Sequence, residues 1–516
     1  MKRINNHISI IVAALALLCS CNLEFSPTDS GSSADLFFSA SKAITVEDGI
    51  YRSMWTAGWS TGSNSHQCFG ISAYALAQEA MGDDFIMQNS GNGWFWYDHV
   101  YNVKDFNDSD SWRSYDVWYA YYVWISNANY IISYADEMEG SEEDKAYVLG
   151  QAYAIRALSY LNLASWFARA PYNPLENRGR WDDPGVPIYT TRTDKNFEGK
   201  PRASLREVYA QVDSDIDTAI ELLRKGESSS LMGNNSRLNL YSALVIKSRA
   251  ALVEGRWKEA ADAAVEVVES GHYSIGIDLM SGMNNGNAGN VIWAAIIENT
   301  EQSGMYAGFF THMDNQDGAY AESSPKLISS ALYAQMGDND VRRAWWDPDD
   351  KVSPYISRKF RFSNVSSWMG DYIYMRIEEM YLTAAEAYAR LGDEKKAASY
   401  LQELMDKRDK DFRASGKTGI MLGGTTNSWT GSLLESILVQ RRIELWGEYG
   451  RVFDVKRLGQ GIVRTTADGF SSDCIKQMGS VGVDLSNPET YDWVLTIPQD
   501  EINANDKINE GDQNPS

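Results

Sequence analysis

The sequence predicts a mostly α-helical protein, built from tetratricopeptide-like helix pairs with long irregular aromatic-rich loops and little β-structure. Two segments repeat the same helix-pair pattern, further stretches have apolar residues at helical spacing, and the long segments between them lack that periodicity. Such helix pairs stack side by side into a curved scaffold. The long segments are then candidates for binding surfaces, because loops held on a rigid scaffold often carry function.

The repeated pattern lies at residues 250–260 and 387–397. In each copy a glycine, Gly255 or Gly392, lies five residues after one alanine and five before another. Small residues let paired helices approach closely, and glycine adopts the left-handed conformation that ends a helix. We therefore expect two helical hairpins that turn at these glycines.

Apolar spacing predicts the remaining helices. Residues from Ile377 to Leu391 place apolar side chains on one helical face, and Ala397 to Met405 do so on the next. Three earlier stretches have the same character. They cover residues 118–138, 147–167 and 208–223.

Three long segments contain Gly, Asn, Asp and Ser mixed with Trp, Tyr and Phe, and have no helical periodicity. They cover residues 60–116, 274–376 and 411–432. Segments of this length are too long to be plain connectors. We expect them to be loop insertions in a single domain that covers residues 35–516.

Composition excludes several classes of function. The formal net charge of −23 argues against a nucleic-acid partner, because binding a phosphate backbone needs a basic face. Only five histidines are scattered through the chain, and neither Cys68 nor Cys474 has neighbours at metal-ligand spacing, so no metal site and no cofactor is predicted. Whether these two cysteines pair is left open by their wide separation in the sequence.

The N-terminus has the features of a secreted lipoprotein. Two basic residues precede an apolar run from Ile8 to Leu18 that is too short to span a bilayer. The sequence from Leu18 to Cys21 resembles the lipobox of bacterial lipoproteins; the alternative is an ordinary cleaved signal peptide. The predicted parts are a signal peptide over residues 1–20, lipid attachment at Cys21 and a flexible tether over residues 21–34.

A specific family resemblance rests on an ordered set of motifs. The segment from Arg376 to Ala387 resembles the R-x-x-E-x-Y-L-x-x-A-E-A signature of the SusD/RagB outer-membrane lipoproteins. The segment from Arg441 to Gly459 resembles the R-R-x-E-L-x-G-E-x-x-R-x-x-D-x-x-R-x-G block of that family. Further matches follow the family order, at Trp118 to Asn129, Arg156 to Tyr160, Ser204 to Asp215, Ile497 to Ile502 and Gln513 to Pro515.

The resemblance implies a SusD-like protein of Bacteroidota-type bacteria, anchored by lipid to the outer membrane with its body facing the cell exterior. Members of the family form the lid of a SusC-like TonB-dependent transporter and capture oligosaccharide, or in some cases peptide, for import. Charged residues of the motifs lie at spacings that allow buried ion pairs between helices. The motif residues expected to be structural are Arg376, Glu379, Tyr381, Glu386, Arg441, Glu444, Arg451 and Asp454.

Candidate ligand contacts come from two aromatic-rich loops. A carbohydrate site needs flat aromatic rings for the apolar faces of sugars and directional donors and acceptors for the hydroxyls. The first loop supplies Asp83, Asp84, Asn89, Asn92, Trp94, Trp96 and Tyr97, and the second supplies Tyr306, Phe309, Asn315 and Tyr320. Alternation along an extended segment predicts Trp94 and Trp96 on one side and Phe95 and Tyr97 on the other, with one pair in the core.

Catalysis is not expected. The sequence has no nucleophile elbow, phosphate-binding loop or metal motif. Adjacent carboxylates such as Asp83 and Asp84 do not flank a scissile bond at the separation that glycoside hydrolysis requires. Three hypotheses remain open: glycan capture for a transporter, peptide capture by the same type of complex, and a purely structural or adaptor role.

Overall fold

A computed structural model describes residues 36–56, 66–102, 112–194, 196–298 and 306–515. The predicted signal peptide over residues 1–20, the lipid attachment at Cys21 and the tether over residues 21–34 lie outside the described residues. The boundary of the predicted single domain therefore stays a prediction.

The described chain is mostly helical, as the sequence predicts. The longer helices are α1 (Ala40–Ser53), α2 (Ile71–Ala80), α4 (Trp112–Ser133), α5 (Glu142–Phe167), α6 (Leu205–Lys225), α7 (Leu240–Glu254), α8 (Trp257–Glu269), α12 (Ile377–Arg390), α13 (Glu394–Met405), α14 (Leu433–Glu444), α15 (Arg451–Leu458) and α16 (Ser472–Ser480). The short helices are α3 (Trp96–His99), α9 (Phe309–Met313), α10 (Ala319–Ser323), α11 (Ser330–Tyr333) and α17 (Gln499–Ala504).

Both predicted hairpins are present and turn at their glycines. Helices α7 and α8 meet at Gly255, whose φ is +74°, and α12 and α13 meet at Gly392, whose φ is +80°. A left-handed φ is easily adopted by glycine, which has no Cβ. Neighbouring helices pack in the order α4, α5, α6, α7, α8, α12 and α13, which forms the repeat scaffold.

Close packing and capping explain the central pair α5 and α6. A Cβ on Gly150 of α5 would lie 2.8 Å from the Leu223 side chain of α6, so glycine permits the close approach of these helices. At the start of α6, Ser204 and Glu207 form a reciprocal capping box. This pairing satisfies backbone donors that the first turn of a helix leaves open.

The strands are short and contribute little to the architecture. They are β1 (Phe85–Met87), β2 (Tyr172–Asn173), β3 (Arg178–Gly179), β4 (Val291–Ala295), β5 (Lys326–Ile328), β6 (Trp346–Asp347), β7 (Ile356–Ser357) and β8 (Tyr372–Arg376). Antiparallel pairing in the order β1, β5, β7 and β6 joins the two aromatic-rich loop segments, because Phe85 pairs with Ile328. Strand β4 pairs antiparallel with β8.

One region expected to be irregular contains a helix. Residues 60–116 include α2, which the sequence pattern misses because this helix is buried almost all round, from Ser72 to Glu79. A helix without a polar face has no amphipathic period to detect. In the part of the chain that the structure describes, no helix combines the length and apolar character needed to cross a bilayer.

Candidate functional site

Five aromatic side chains from separate parts of the chain meet at one surface: His66, Trp94, Tyr306, Tyr320 and Trp368, here called the aromatic patch. The His66 ring lies 5.1 Å from Trp94 and 5.6 Å from Tyr320, measured between ring centroids. Tyr306 lies 5.9 Å from Tyr320 and 5.1 Å from Trp368. Each ring therefore contacts at least one other, and the patch is continuous.

The patch has exposed rings above a buried base. Tyr306 is 41 % exposed and Trp368 is 38 % exposed, and His66 and Trp94 are half-buried. Tyr320 is buried beneath them and shares a hydrogen bond with Nδ1 of His66. Partly exposed rings present ring faces to solvent, which suits contact with the apolar face of a ligand.

The backbone is left-handed at two positions that orient the patch. Phe95, next to Trp94, has a φ of +62°, and Trp368 has a φ of +53°. This conformation is uncommon for bulky residues and concentrates at functional sites. The left-handed residue Phe95 ends the extended backbone and precedes the first turn of α3. The predicted alternation of side chains is therefore wrong. Phe95 and Trp96 are both buried, whereas Trp94 and Tyr97 reach the surface.

The histidine at the base of the patch is neutral. His312 Nε2 donates to the backbone oxygen of His66 at 2.7 Å. Burial, together with the nearby Lys326, lowers the pKa of His312 to about 3, so the ring is uncharged at neutral pH. Burial also lowers the pKa of Lys326 to about 7, and its ammonium group donates to the backbone oxygen of Ser324.

Asp83 and Asp84 are not surface ligands, contrary to the sequence prediction. Both are buried, Asp84 within 2.6 Å of Arg442 and Asp83 within 2.8 Å of Arg451. Burial alone would raise the pKa of Asp83, but Arg451 and Arg442 hold it well below its usual range. Two charged partners explain why these carboxylates tolerate burial. They fasten the aromatic loop to α14 and α15.

Two other predicted ligand contacts lie inside the protein and a third has its side chain engaged by the backbone, so the prediction for these residues is also corrected. Trp96 is buried and donates to Gln477 Oε1 at 3.2 Å. Phe309 is buried against Phe360, with ring centroids 5.1 Å apart. The half-buried Asn315 amide donates to two backbone oxygens and its Oδ1 accepts from the Lys326 amide, so it holds strand β5 in place.

The remaining predicted contacts lie at or near the surface. Asn89 and Asn92 are exposed on the loop that leads to Trp94. Asn89 is tied to the patch segment, because Ser324 Oγ donates to its backbone oxygen at 3.0 Å. Tyr97 is exposed on α3. These residues, with Trp94 and Tyr306, stay candidates for ligand contact, whereas Tyr320 is buried and supports the rings above it.

Sequence reasoning missed His66 and Trp368. Trp368 lies in the loop segment 274–376 between Ser367 and Met369, where a lone aromatic residue beside serines gives a weak signal. His66 precedes a buried stretch and has no neighbouring aromatic residue in the sequence. Their role is visible only when three distant segments are brought together.

The charged motif residues form buried ion pairs between helices. Glu444 of α14 accepts from Arg376 at 2.8 Å and from Arg408 at 2.9 Å. Burial alone would raise the pKa of Glu444, but Arg408 and Arg376 hold it well below its usual range. A carboxylate with several guanidinium partners is stabilised in a place where an unpaired charge would not be tolerated.

A second set of pairs joins α12 to α14 and α15. Arg441 donates to Asp454 at 2.7 Å and lies 3.5 Å from Glu379. Glu386 accepts both hydrogen bonds of a bidentate pair with Arg457, at 2.6 and 2.9 Å. Of the other motif residues, Arg451 pairs with Asp83 and Tyr381 is half-buried between two parts of the core.

Neither a disulfide nor a metal centre is found in the described residues. Cys68 and Cys474 are separate buried thiols. No group of three or more His, Cys, Asp or Glu side chains within those ranges is arranged to hold a metal ion.

The combination of helix pairs and aromatic patch defines a helical-repeat protein that carries a composite aromatic surface on its loops. Family models match two regions: one described as "Starch-binding associating with outer membrane" covers residues 63–245, and one described as "SusD family" covers residues 350–516. Together they span most of the chain. The protein belongs to the SusD/RagB family.

Solved structures share this fold over nearly the whole chain. A SusD-like carbohydrate binding protein from Bacteroides vulgatus has a TM-score of 0.74 at 24% identity, over 92% of this chain and 98% of its own. A SusD superfamily protein from Bacteroides thetaiotaomicron has a TM-score of 0.73 at 22% identity, over 93% and 100%. No curated protein matches the chain.

One similar structure contains a ligand. Surface glycan-binding protein A from Bacteroides thetaiotaomicron, in complex with laminarihexaose, has a TM-score of 0.62 at 16% identity, over 90% of this chain and 98% of its own. At this level of identity the likeness concerns the fold.

Proposed function

We propose that this protein binds oligosaccharide or polysaccharide at the aromatic patch, without cleaving it, and delivers it to a SusC-like TonB-dependent transporter as the lid of that transporter. The observation that carries the proposal is the meeting of Trp94, Tyr306 and Trp368 at one surface. Partly exposed aromatic rings are suited to the C–H faces of sugar rings. The exposed Asn89 and Asn92 supply amides that both donate and accept hydrogen bonds to hydroxyls.

The comparisons support this proposal at the level of the family. One matching family model is described as starch-binding and as associating with the outer membrane, and one structural neighbour was solved with laminarihexaose. The lipobox-like sequence ending at Cys21 supports a lipid anchor on the outer membrane, with the body facing the exterior. A tether of residues 21–34 lets a lid move while it stays anchored.

Affinity gel electrophoresis tests glycan binding. The purified body of the protein, from residue 22 onward, is run through gels that contain amylopectin, laminarin, xyloglucan, galactomannan, arabinoxylan or polygalacturonate. We expect at least one polysaccharide to retard the protein and to keep its chain length during incubation. No retardation by any member of a broad panel contradicts the proposal, and shortening of the polysaccharide contradicts its non-catalytic part.

The transporter role needs its own experiment. Native purification from the outer membrane is expected to recover the protein with a TonB-dependent transporter. Peptides recovered in that complex, with no binding in the glycan gels, would support the alternative function of peptide capture.

A further inference from the structure

A second aromatic groove lies along α4, away from the residues of the aromatic patch. Its walls are α4, residues 189–193 and 197–199, and α17, and its volume is about 390 Å³. We call it the α4 groove; its lining includes Tyr119, Tyr122, Tyr189, Phe197, Glu501 and Asn505. It shares no residue with the aromatic patch. Its volume is in the range of small-molecule sites.

Two rings at the groove stand out into solvent. Tyr119 is 45 % exposed and Phe197 is 48 % exposed. Tyr115 stacks on Tyr119 at 5.5 Å between centroids with an interplanar angle of 9°, which supports that ring from one side. Phe197 lies 5.1 Å from Tyr189. Large exposed rings at one groove are unusual on a soluble surface and commonly mark a binding site.

The rings between these two are fixed in place. The Tyr122 hydroxyl donates to the Pro187 backbone oxygen at 2.8 Å. The Tyr189 amide donates to the Tyr160 hydroxyl at 2.7 Å, and the Tyr189 hydroxyl accepts from the Lys200 amide at 3.1 Å. A ring held by such bonds loses little conformational entropy when a ligand binds.

The polar lining selects for a neutral ligand rich in hydroxyls. Glu501 is the only charged residue that lines the groove in the part of the chain that is described. Its carboxylate accepts from Trp118 Nε1 at 3.3 Å and from the Asn505 amide at 2.8 Å. A carboxylate has about four acceptor sites, so it retains capacity for ligand hydroxyls. An anionic sugar would be repelled by it.

We propose that the α4 groove is a second glycan subsite, which takes neutral sugar units between the rings of Tyr119 and Phe197. The inference rests on the proposed glycan-binding function and extends it. A groove of about 390 Å³ is large enough to hold a sugar-sized group. Two sites on one body bind a long polysaccharide more tightly than a short oligosaccharide, because the second contact is intramolecular.

The test uses the double variant Tyr119→Ala/Phe197→Ala and affinity gels that contain the neutral polysaccharide that retards the wild-type protein most. We expect about a threefold or greater loss of apparent affinity for the polymer, from loss of the second contact. Tyr119→Phe, which keeps the ring, is expected to retain binding. Phe38→Ala, which removes another exposed ring, is the matched control and is expected to behave as the wild type.

Calorimetry with a hexasaccharide of the same polymer measures the number of sites. The proposal predicts two sites in the wild type and one in the double variant. A single wild-type site, or unchanged polymer affinity in a double variant with a wild-type unfolding temperature, overturns it. If the double variant keeps its glycan affinity but no longer co-purifies with the transporter, the proposal is likewise overturned. The groove would then be identified as a protein interface.

Failure of this inference is distinguishable from failure of the proposed function. If no polysaccharide in the panel retards the wild-type protein, both proposals fail. If the polymer retards the wild-type protein and only substitutions in the aromatic patch change its affinity, the second subsite alone is wrong.

Discussion

The buried ion pairs around α12, α14 and α15 differ from the aromatic patch both in their surroundings and in the forces that hold them together. The ion pairs are buried in the core, and Glu444 alone contacts Arg342, Arg376 and Arg408. The patch lies at the surface on irregular backbone and is held by ring contacts and a few hydrogen bonds. We therefore expect stability and the proposed ligand binding to depend on separate parts of the molecule and to respond independently to substitution.

The largest expected effect comes from the ion pairs. Glu444→Ala leaves three guanidinium groups without their shared carboxylate, and loss of one partner from a buried pair typically costs about 3–5 kcal/mol. We expect a loss of that size in the free energy of unfolding, measured by urea titration. Glycan affinity of the folded fraction is expected to stay unchanged. A cost below about 1 kcal/mol would show that these pairs do not stabilise the scaffold.

A smaller effect on stability and a clear effect on binding are expected at the patch. Trp368→Ala removes a ring that is 38 % exposed, so it loses less buried area than the loss of a core tryptophan would. We expect about a tenfold loss of glycan affinity, or about 1.4 kcal/mol, with a loss in the free energy of unfolding that is smaller than that of Glu444→Ala. Isothermal titration and urea unfolding measure the two quantities. Unchanged glycan affinity, or a loss of stability as large as that of Glu444→Ala, would contradict the separation of the two regions.

Lys326, buried at the base of the patch, gives a pH-dependent test. Its pKa is about 7 in the folded protein against 10.5 ordinarily, so between those values the unfolded state binds the extra proton. The free energy of unfolding therefore rises with pH across this window, and the cost of burying the charge is complete below pH 7.

Lys326→Met removes this cost. We expect the variant to exceed the wild type in stability most at pH 6.5, with a difference that shrinks toward pH 10, because each pKa unit corresponds to about 1.4 kcal/mol. Urea titrations of both proteins at several pH values check this. A difference that does not vary with pH would show that Lys326 is not desolvated.

A moderate effect is expected from the residue that links the rings. His66 contacts Trp94, Tyr306 and Tyr320, so His66→Ala removes a support from each. We expect a loss of affinity of a few fold, consistent with the 0.5–1.5 kcal/mol of about one aromatic pair. His66→Phe restores a ring but not the hydrogen bond to Tyr320 and is expected to recover part of the loss. Wild-type affinity in His66→Ala would contradict a supporting role.

The scaffold could be predicted from the sequence because its signals are local. Gly255 and Gly392 mark the turns of the hairpins, and the apolar spacing of residues 377–391 indicates α12 directly. Helix α2 was missed because burial on all sides removes the amphipathic pattern.

The patch could be predicted only in part, because it is assembled from distant segments. The aromatic-rich loops indicated Trp94, Tyr306 and Tyr320, but His66 and Trp368 join them only through the fold. Asp83 and Asp84 looked like ligand contacts because their partners, Arg442 and Arg451, lie more than three hundred residues away in the sequence.

Glycan binding by the aromatic patch can be tested on the patch rings themselves. The most direct measurement is the affinity of the double variant Trp94→Ala/Trp368→Ala for a hexasaccharide of the retarding polymer, by isothermal titration calorimetry. Trp429→Ala serves as control, because Trp429 is exposed to a similar degree and lies over Arg442 outside the patch. We expect the affinity of the aromatic patch for the hexasaccharide to fall about a hundredfold in the double variant. The control variant is expected to keep the wild-type affinity. Wild-type affinity in a folded double variant would contradict glycan binding by the patch.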